Sequence, residues 1–414
     1  MKVLIVQPPV VHQGPCFDIP ANMLYLIASL RKAGIESRLA DGNMIGLAGV
    51  MAEIDNGYDI VGVSTLSPSR FSALKVAQYA KSKGAMTVLG GQHVFWLRQQ
   101  VMDNYPFVDV IVLGEGENTI VDLATKSLED VDGIIYRRNG EVIRNRARRY
   151  ADLDDLPFPA WDTISFAAYH AVKHAIGPRV YYSRGCTGHC KFCNSPAYWR
   201  GYRHRSPQNL CEELEWLYKL GEKICVFGDD NATGEDAKLL FQEIEKRLGR
   251  ICVPVSAATR VDCVDDELCQ LMRRCGVKDV CLGIEHGSQM MREHMGKGIT
   301  TEQVRQAVAS VRSAGMKVVA LLIQNSIGET DEVYQEGEKF ILELSPDGRG
   351  GVGALWLHPG TAYYNEVRSG KYDSEIVSGK ELVDDAFYLN PEYAQHVIAW
   401  KRGVISPQKV TDDV

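Results

Sequence analysis

No apolar run in the 414 residues approaches the roughly 20 needed to cross a bilayer, so no membrane-spanning helix is expected. A block of lysine and arginine is also missing. The 46 basic residues against 53 acidic ones leave a net charge of −7 and nothing that would track a phosphate backbone, which sets nucleic acid aside as a partner. The opening MKVLIVQPPVV has a single charged residue and an apolar run ending in two prolines, which suits a first buried strand better than a secretion signal. Gln7-Pro8-Pro9 stands where a nicotinamide-binding fold would turn through Gly-x-Gly-x-x-Gly. Eleven cysteines, an odd number without a secretion signal, argue against a disulfide scaffold, and a cytoplasmic protein is expected.

What is present is the composition of a globular chain, 45% hydrophobic and 24% charged, long enough to need two cores. Up to about residue 130, short β-rich runs alternate with amphipathic segments. They are KVLIVQ, a helix from about Asn22 to Ala33, ESRLAD, YDIVGVS, a helix near Phe71 to Ser82, MTVLGG and VDVIVLG. Apolar runs without strict alternation mark strands covered on both faces. They predict a doubly wound, mostly parallel sheet with ligands at the carboxyl ends of its strands. GIIYRRNGEVIRN predicts a hairpin turning at Asn-Gly, and the acidic, proline-bearing ADLDDLPFPAWD reads as a linker. A second β/α series runs from PRVYYSR through KICVFG, ICVPVSA, KDVCLGIE and MKVVALLIQ to GVGALWL, and its six repeats predict a partial barrel. The expected fold class is α/β: a doubly wound domain over residues 1–145, a linker over 146–170, a partial (β/α)6 barrel over 171–365 and a C-terminal extension over 366–414. Tyr372, Phe387, Tyr388, Tyr393 and Trp400 in the extension are placed to pack on the barrel or close over it.

The most specific pattern is Gly185-Cys186-Thr187-Gly188-His189-Cys190-Lys191-Phe192-Cys193, a Cys-x3-Cys-x2-Cys set on a loop directly after the first barrel strand. Three thiolates on a four-iron cube leave one iron open for chemistry. The rival is a structural zinc site completed by His189 or a distant cysteine. Zinc knuckles, however, favour paired Cys-x2-Cys units, and the carboxyl ends of barrel strands are the catalytic face. Cys225, Cys252, Cys263, Cys269, Cys275 and Cys281 sit in or beside strand and helix patterns as small hydrophobes, and Cys16 has no assigned role.

Cys186, Cys190 and Cys193, with Phe192 before the third, resemble the signature of the radical S-adenosylmethionine (SAM) superfamily. The resemblance implies a 4Fe–4S cluster held by these three cysteines. Its open iron would bind the amino and carboxylate groups of SAM, and one electron would cleave SAM to methionine and a 5′-deoxyadenosyl radical. Later strand ends are similar to further family motifs: Phe227-Gly228-Asp229-Asp230-Asn231, Gly283-Ile284-Glu285-His286-Gly287-Ser288 with His286 where the family has Ser, and Leu357-His358-Pro359-Gly360-Thr361. Asn325-Ser326-Ile327-Gly328-Glu329-Thr330 departs from the usual Gly-x-Pro-Gly-Glu-Thr. The resemblance places Phe192 at the adenine and Gly228, Asp229, Arg260 and Glu285 around SAM. Hydrogen bonding at the barrel mouth is the plainer role for the polar three.

Ahead of this barrel, Asn22-Met23-Leu24-Tyr25-Leu26, Ser64-Thr65-Leu66, Gly90-Gly91-Gln92-His93-Val94 and Gly114-Glu115-Gly116-Glu117 resemble the cobalamin-binding domain fused to one branch of radical SAM enzymes. The likeness runs over roughly residues 1–365. It implies cobalamin contacts at Asn43, Ser64, Thr65, Leu66, Gly90, Gly91, Gln92, His93, Gly114, Glu115, Gly116 and Glu117. Cobalamin domains that supply a histidine below cobalt carry Asp-x-His-x-x-Gly. Here Asp41-Gly42-Asn43-Met44-Ile45-Gly46 takes that place, so base-off cobalamin without a histidine lower ligand is expected. His93 is not taken as that ligand, since a histidine on a strand-end loop is ordinarily a hydrogen-bonded surface residue.

Together the resemblances imply an enzyme that methylates an unactivated carbon of a small molecule and draws electrons from a donor such as flavodoxin or ferredoxin. The same cofactors serve ring formation, ring contraction and heteroatom exchange, and these motifs do not separate the outcomes. A cobalamin-binding regulator would have no use for Cys186, Cys190 and Cys193. Methylthiotransferases carry three cysteines in their N-terminal domain, whereas residues 1–150 here hold only Cys16.

Overall fold

The computed structural model describes residues 1–10, 18–172, 177–232, 236–248, 253–324, 326–355, 357–369 and 371. Cys16, Cys252, Asn325 and the five aromatic residues of the C-terminal extension lie outside the described residues. The chain divides into two units, the first ending at Gly177 and the second beginning at Pro178.

In the first unit, β1 (Lys2–Gln7), β2 (Glu36–Asp41), β3 (Ile60–Ser64), β4 (Met86–Gly90), β5 (Val110–Val112), β6 (Ile134–Arg138) and β7 (Glu141–Arg144) form one sheet in the order β2-β1-β3-β4-β5-β6-β7. Helices α1 (Ala21–Lys32), α2 (Gly42–Ile54), α3 (Arg70–Ser82), α4 (Gln92–Asn104) and α5 (Glu117–Thr125) follow the first five strands in turn. Those strands are parallel, while β6 and β7 are antiparallel. Val3 to Val6 are all fully buried, which is why β1 reads as an unbroken apolar run. The chain order reverses on either side of β1, so the crevice for a ligand opens at the carboxyl ends of β1 and β3. Asn139 (φ 50°) and Gly140 (φ 86°) make the predicted hairpin turn between β6 and β7.

The segment read as a linker packs into this unit. Trp161 is fully buried, Ala160 N donates to Leu24 O at 3.1 Å, and a short helix α6 (Phe166–Ala171) ends the segment. Truncating Trp161 to alanine would cost about 3–5 kcal/mol.

In the second unit, β8 (Arg179–Val180), β9 (Ser183–Arg184) and β10 (Arg203–His204) surround the cysteine loop and the helix α7 (Ser195–Trp199). The series continues with α8 (Pro207–Lys219), β11 (Ile224–Phe227), α9 (Ala237–Arg247), β12 (Val253–Pro254), β13 (Ser256–Arg260), α10 (Asp266–Arg274), β14 (Asp279–Glu285), α11 (Gln289–His294) and α12 (Thr301–Ser313). It ends with β15 (Lys317–Gln324), α13 (Asp331–Leu344), β16 (Gly348–Ala354) and α14 (Ala362–Arg368). Strands pair in parallel as β8-β11-β12 and β13-β14-β15-β16. Val255 joins the two sets: its N–H donates to Cys225 O, and its carbonyl accepts from Lys278 and Asp279. With β12 and β13 counted as one broken strand, six parallel strands in sequence order make the predicted open barrel. Among the described residues no helix is long and apolar enough to cross a membrane.

Candidate active site

β9 leads into the cysteine loop through Gly185 (φ 91°), where a Cβ would overlap Gly201 O, so only glycine makes the turn. Each of the three sulfurs meets one N–H donor. Gly188 N lies 3.3 Å from Cys186 Sγ, Arg260 Nη1 3.7 Å from Cys190 Sγ, and Ser195 N 3.4 Å from Cys193 Sγ. Burial holds the Cys190 thiol above its ordinary range and pushes Cys193 up to about 12, so a metal centre must displace these protons to bind. Among the described residues no group of three His, Cys, Asp or Glu side chains is set for a single metal ion. A cube spaces its thiolates more widely than one ion does, and three sulfurs each supplied with a donor fit that group. The loop is stitched down: Lys191 N donates to Met295 O at 2.8 Å, and Lys191 O accepts from Tyr363 N at 3.0 Å.

The stretch after β11 fastens the loop from below. Asp229, 5% exposed, accepts from Ser183 N, from Ser183 Oγ at 2.6 Å and from Tyr182 N at 3.3 Å. Asp230 accepts from Gly185 N at 3.2 Å and Ser195 Oγ at 2.6 Å, and so clamps both ends of the loop. Asn231, fully buried, accepts from Arg260 N at 3.3 Å. Gly228 lets the Tyr181 ring approach, since a Cβ would lie 2.6 Å from it.

Glu285 turns off the end of β14 with φ 67°, a backbone conformation rare for a residue with a side chain. Its Oε1 accepts from Lys297 Nζ at 2.9 Å, and the pair lies over Gly283, where a Cβ would come within 2.8 Å of Nζ and 2.9 Å of Oε1. Burial works against the Lys297 charge, but Glu285 and the nearby Cys190 outweigh it and raise the lysine's pKa. Arg292, fully buried, holds the following loop by donating to His286 O at 2.7 Å, Gly287 O at 2.8 Å and Thr301 Oγ1 at 2.7 Å. Burial lowers its pKa to about 10, against the smaller opposing pull of Glu293 and Glu336. Phe192 is half-buried on the cysteine loop itself.

In the first unit the loops after β3 and β4 lie back to back. Thr65 N donates to Gly90 O at 2.7 Å and His93 N to Thr65 O at 3.2 Å, a closeness that depends on Gly91 (φ 103°), whose Cβ would sit 2.7 Å from Thr65 O. His93 is 3% exposed with Nδ1 3.1 Å from Ser67 Oγ, a buried residue and not the surface one expected of its position. Asn43 Oδ1 accepts from Val10 N at 3.1 Å. Asp41 accepts from Asn43 N at 3.0 Å and from Tyr169 Oη at 2.7 Å. Around Gly114 to Glu117 the contacts run to the segment before α6 and to α1: Glu115 accepts from Ala151 N at 3.1 Å, Gly114 faces the Tyr150 ring, and Gly116 faces Leu26. Ile45 and Leu66, large and apolar, are 48% and 41% exposed beyond β2 and β3.

The structure thus gathers Cys186, Cys190, Cys193, Arg260 and Glu285 about one point, while Asp229 holds the strand beneath. Asp230 and Asn231 were named in the sequence only as part of the Phe227–Asn231 motif, without a role of their own, and Arg292 and Lys297 were not singled out. The one available signal for Lys297 was its place between Gly296 and Gly298, both at φ 69°.

Fold and site define an iron–sulfur barrel enzyme carrying a second, corrinoid-type domain. Residues 180–340 match the family model of the radical SAM superfamily and residues 14–124 that of the B12 binding domain. The chain is 30% identical over 373 residues to an uncharacterized methyltransferase of Pyrococcus horikoshii, covering 84% of this chain and 79% of that one. It is 31% identical over 310 residues to the anaerobic magnesium-protoporphyrin IX monomethyl ester cyclase of Rubrivivax gelatinosus, covering 70% of this chain but only 55% of that one. The radical SAM methyltransferase TsrM from Kitasatospora setae, solved with cobalamin and a 4Fe–4S cluster, shares the fold: TM-score 0.74, 18% identity, 89% of this chain and 78% of that one. The chain belongs to the cobalamin-dependent radical SAM enzymes, and its cofactors are a 4Fe–4S cluster, SAM and cobalamin.

Proposed function

We propose that this enzyme methylates an unactivated carbon of a small molecule. The observation that carries the reading is the cysteine trio with one N–H donor on each sulfur, in a chain that also has a B12-binding domain and a 30% identical relative named a methyltransferase. When bound, the cluster with SAM supplies a 5′-deoxyadenosyl radical and cobalamin supplies the methyl group.

The chain's own part is holding and orienting. Cys186, Cys190 and Cys193 ligate the cluster, and Asp229 and Asp230 fix the loop that carries them. Glu285 and Lys297, one acid and one base in contact, match the amino and carboxylate groups of SAM, and Phe192 and Gly228 border its adenosine. The backbone-lined crevice of Ser64, Thr65, Leu66, Gly90, Gly91, Gln92 and His93 takes the nucleotide side of cobalamin. Asn43 is engaged with the Val10 N–H and the loop after β2 has no histidine, so a corrinoid held here would be base-off without a histidine lower ligand. A flavodoxin or ferredoxin in the cytoplasm supplies electrons.

The cyclase relative, at 31% identity, favours a second reading in which the same cofactors build a ring. Anaerobically reconstituted enzyme given SAM with a deuterated methyl group, cobalamin and a low-potential reductant separates the two. Methyl transfer predicts 5′-deoxyadenosine together with deuterated methyl on the corrinoid. Deoxyadenosine without corrinoid label selects the cyclase-like reading, and absence of deoxyadenosine overturns both.

A further inference from the structure

Arg260 ends β13 with its side chain 11% exposed, and three of its contacts fix the direction of the fourth. Nε and Nη2 donate to the two carboxylate oxygens of Asp262, each at 2.8 Å, and Nη2 also donates to Lys297 O at 3.1 Å. The backbone N–H is tied to Asn231 Oδ1. A planar guanidinium clamped along one edge has no freedom left in the other. That other edge presents Nη1 to Cys190 Sγ at 3.7 Å.

The cysteine loop is shaped around this group. A Cβ on Gly188 would overlap Nη1, yet Gly188 is not among the residues with positive φ, so its backbone does not itself call for glycine. The missing side chain makes room for the guanidinium. Cys186 and Cys193 receive neutral backbone donors, and Cys190 receives a cationic one.

We propose that Arg260 is a positioning residue that sets the reduction potential of the cluster through the Cys190 sulfur. This rests on the reading of Cys186, Cys190 and Cys193 as the cluster ligands. One electron, arriving from a flavodoxin- or ferredoxin-class donor or from dithionite in vitro, makes the centre more negative by one charge. No bond is made or broken at Arg260, whose protons stay in place. A cation hydrogen-bonded to a ligand sulfur stabilises the reduced form more than the oxidised one, so the potential is raised and the donor's electron is easier to accept.

The test uses the reconstituted full chain, with iron and sulfide quantified, and follows the cluster by electron paramagnetic resonance during a dithionite titration without SAM. Arg260→Met is expected to move the midpoint to a more negative potential, by about tenfold in the reduction equilibrium, or 59 mV for one electron. Gly188→Ala keeps the N–H to Cys186 and the arginine but pushes Nη1 away from the sulfur. It is expected to shift the midpoint the same way by less, and it decides the matter where Arg260→Met does not fold. An unchanged midpoint in Gly188→Ala, or in Arg260→Met at full iron content, overturns the proposal. Weakened SAM binding at an unchanged midpoint overturns it too and assigns Arg260 to SAM. Wild-type chain with no cluster signal removes the functional reading underneath, and this inference with it.

Discussion

Asp229 gives both carboxylate oxygens to Tyr182 and Ser183, where the chain enters β9, and its charge is the cost of that arrangement. An ordinary aspartate titrates near 3.8; burial, partly offset by the Ser183 and Tyr182 donors, pushes Asp229 up to about 6. Between those values the folded chain holds a proton that the unfolded chain has released. This group's contribution to stability is therefore fully present below about pH 3.8 and is lost as the pH rises through about 6. The displacement corresponds to ~3 kcal/mol. Asp229→Asn removes that slope. Urea unfolding of the cluster-free chain between pH 4.5 and 7 is expected to fall less steeply with pH in the variant, and parallel curves for variant and wild type would refute the assignment. The sequence pointed to Asp229 as a SAM contact by family resemblance. That its partners are Ser183 and Tyr182 was not legible, because they lie more than 40 positions away and carry no pattern of their own.

Close approach of backbone to backbone shapes the elements around Glu285. Gly287, after β14, and Gly337, within α13, face each other, and a Cβ at 287 would overlap Gly337 O. At 337 a Cβ would lie 2.8 Å from His286 Cε1. Gly287→Ala must push the helix off the loop, at about 1–3 kcal/mol or more. A lower melting temperature together with weaker SAM binding is expected, since the displaced loop begins at Glu285; an unaltered melt and affinity would show that the contact has slack. Such contacts leave no trace in periodicity, whereas β1, β3 and the Asn139-Gly140 hairpin were readable because burial on both faces and paired positive φ leave distinctive residues. PRVYYSR reads as one strand but splits into β8 and β9, because Asp229 takes the Tyr182 and Ser183 N–H groups. ICVPVSA also breaks: Pro254 has no N–H to give, and Val255 bonds to Cys225 on one side and Lys278 on the other. α2 went unread because Gly42, Gly46 and Gly49 argue against a helix, and Gly46 does leave helical geometry, at φ 69°.

Each unit carries its own core and its own cofactor residues. Val3, Ile5, Ile60, Val88 and Val110 pack with Leu30 and Ile120 in the first unit, and Val280, Leu282, Ile284, Val318 and Ala320 are buried in the second. The residues proposed for cobalamin, from Asn43 through the loops after β3 and β4 to Gly114–Glu117, all precede Gly177, while the cysteine loop with Arg260, Glu285 and Lys297 lies beyond it. Loading should therefore be separable. Replacing Cys186, Cys190 and Cys193 together by alanine is expected to remove iron, sulfide and 5′-deoxyadenosine formation while the corrin absorption of bound cobalamin remains. Gly91→Val is expected to do the reverse. At φ 103° a β-branched residue is strained, and its Cβ would be forced to within 2.7 Å of Thr65 O, opening the backbone-lined crevice while the cysteine loop keeps every donor it has. Iron content and SAM cleavage in Gly91→Val should match the wild type, with cobalamin content falling by tenfold or more. Loss of both cofactors in either variant, with the chain still folded by circular dichroism, would mean that one unit's cofactor is held in place by the other's.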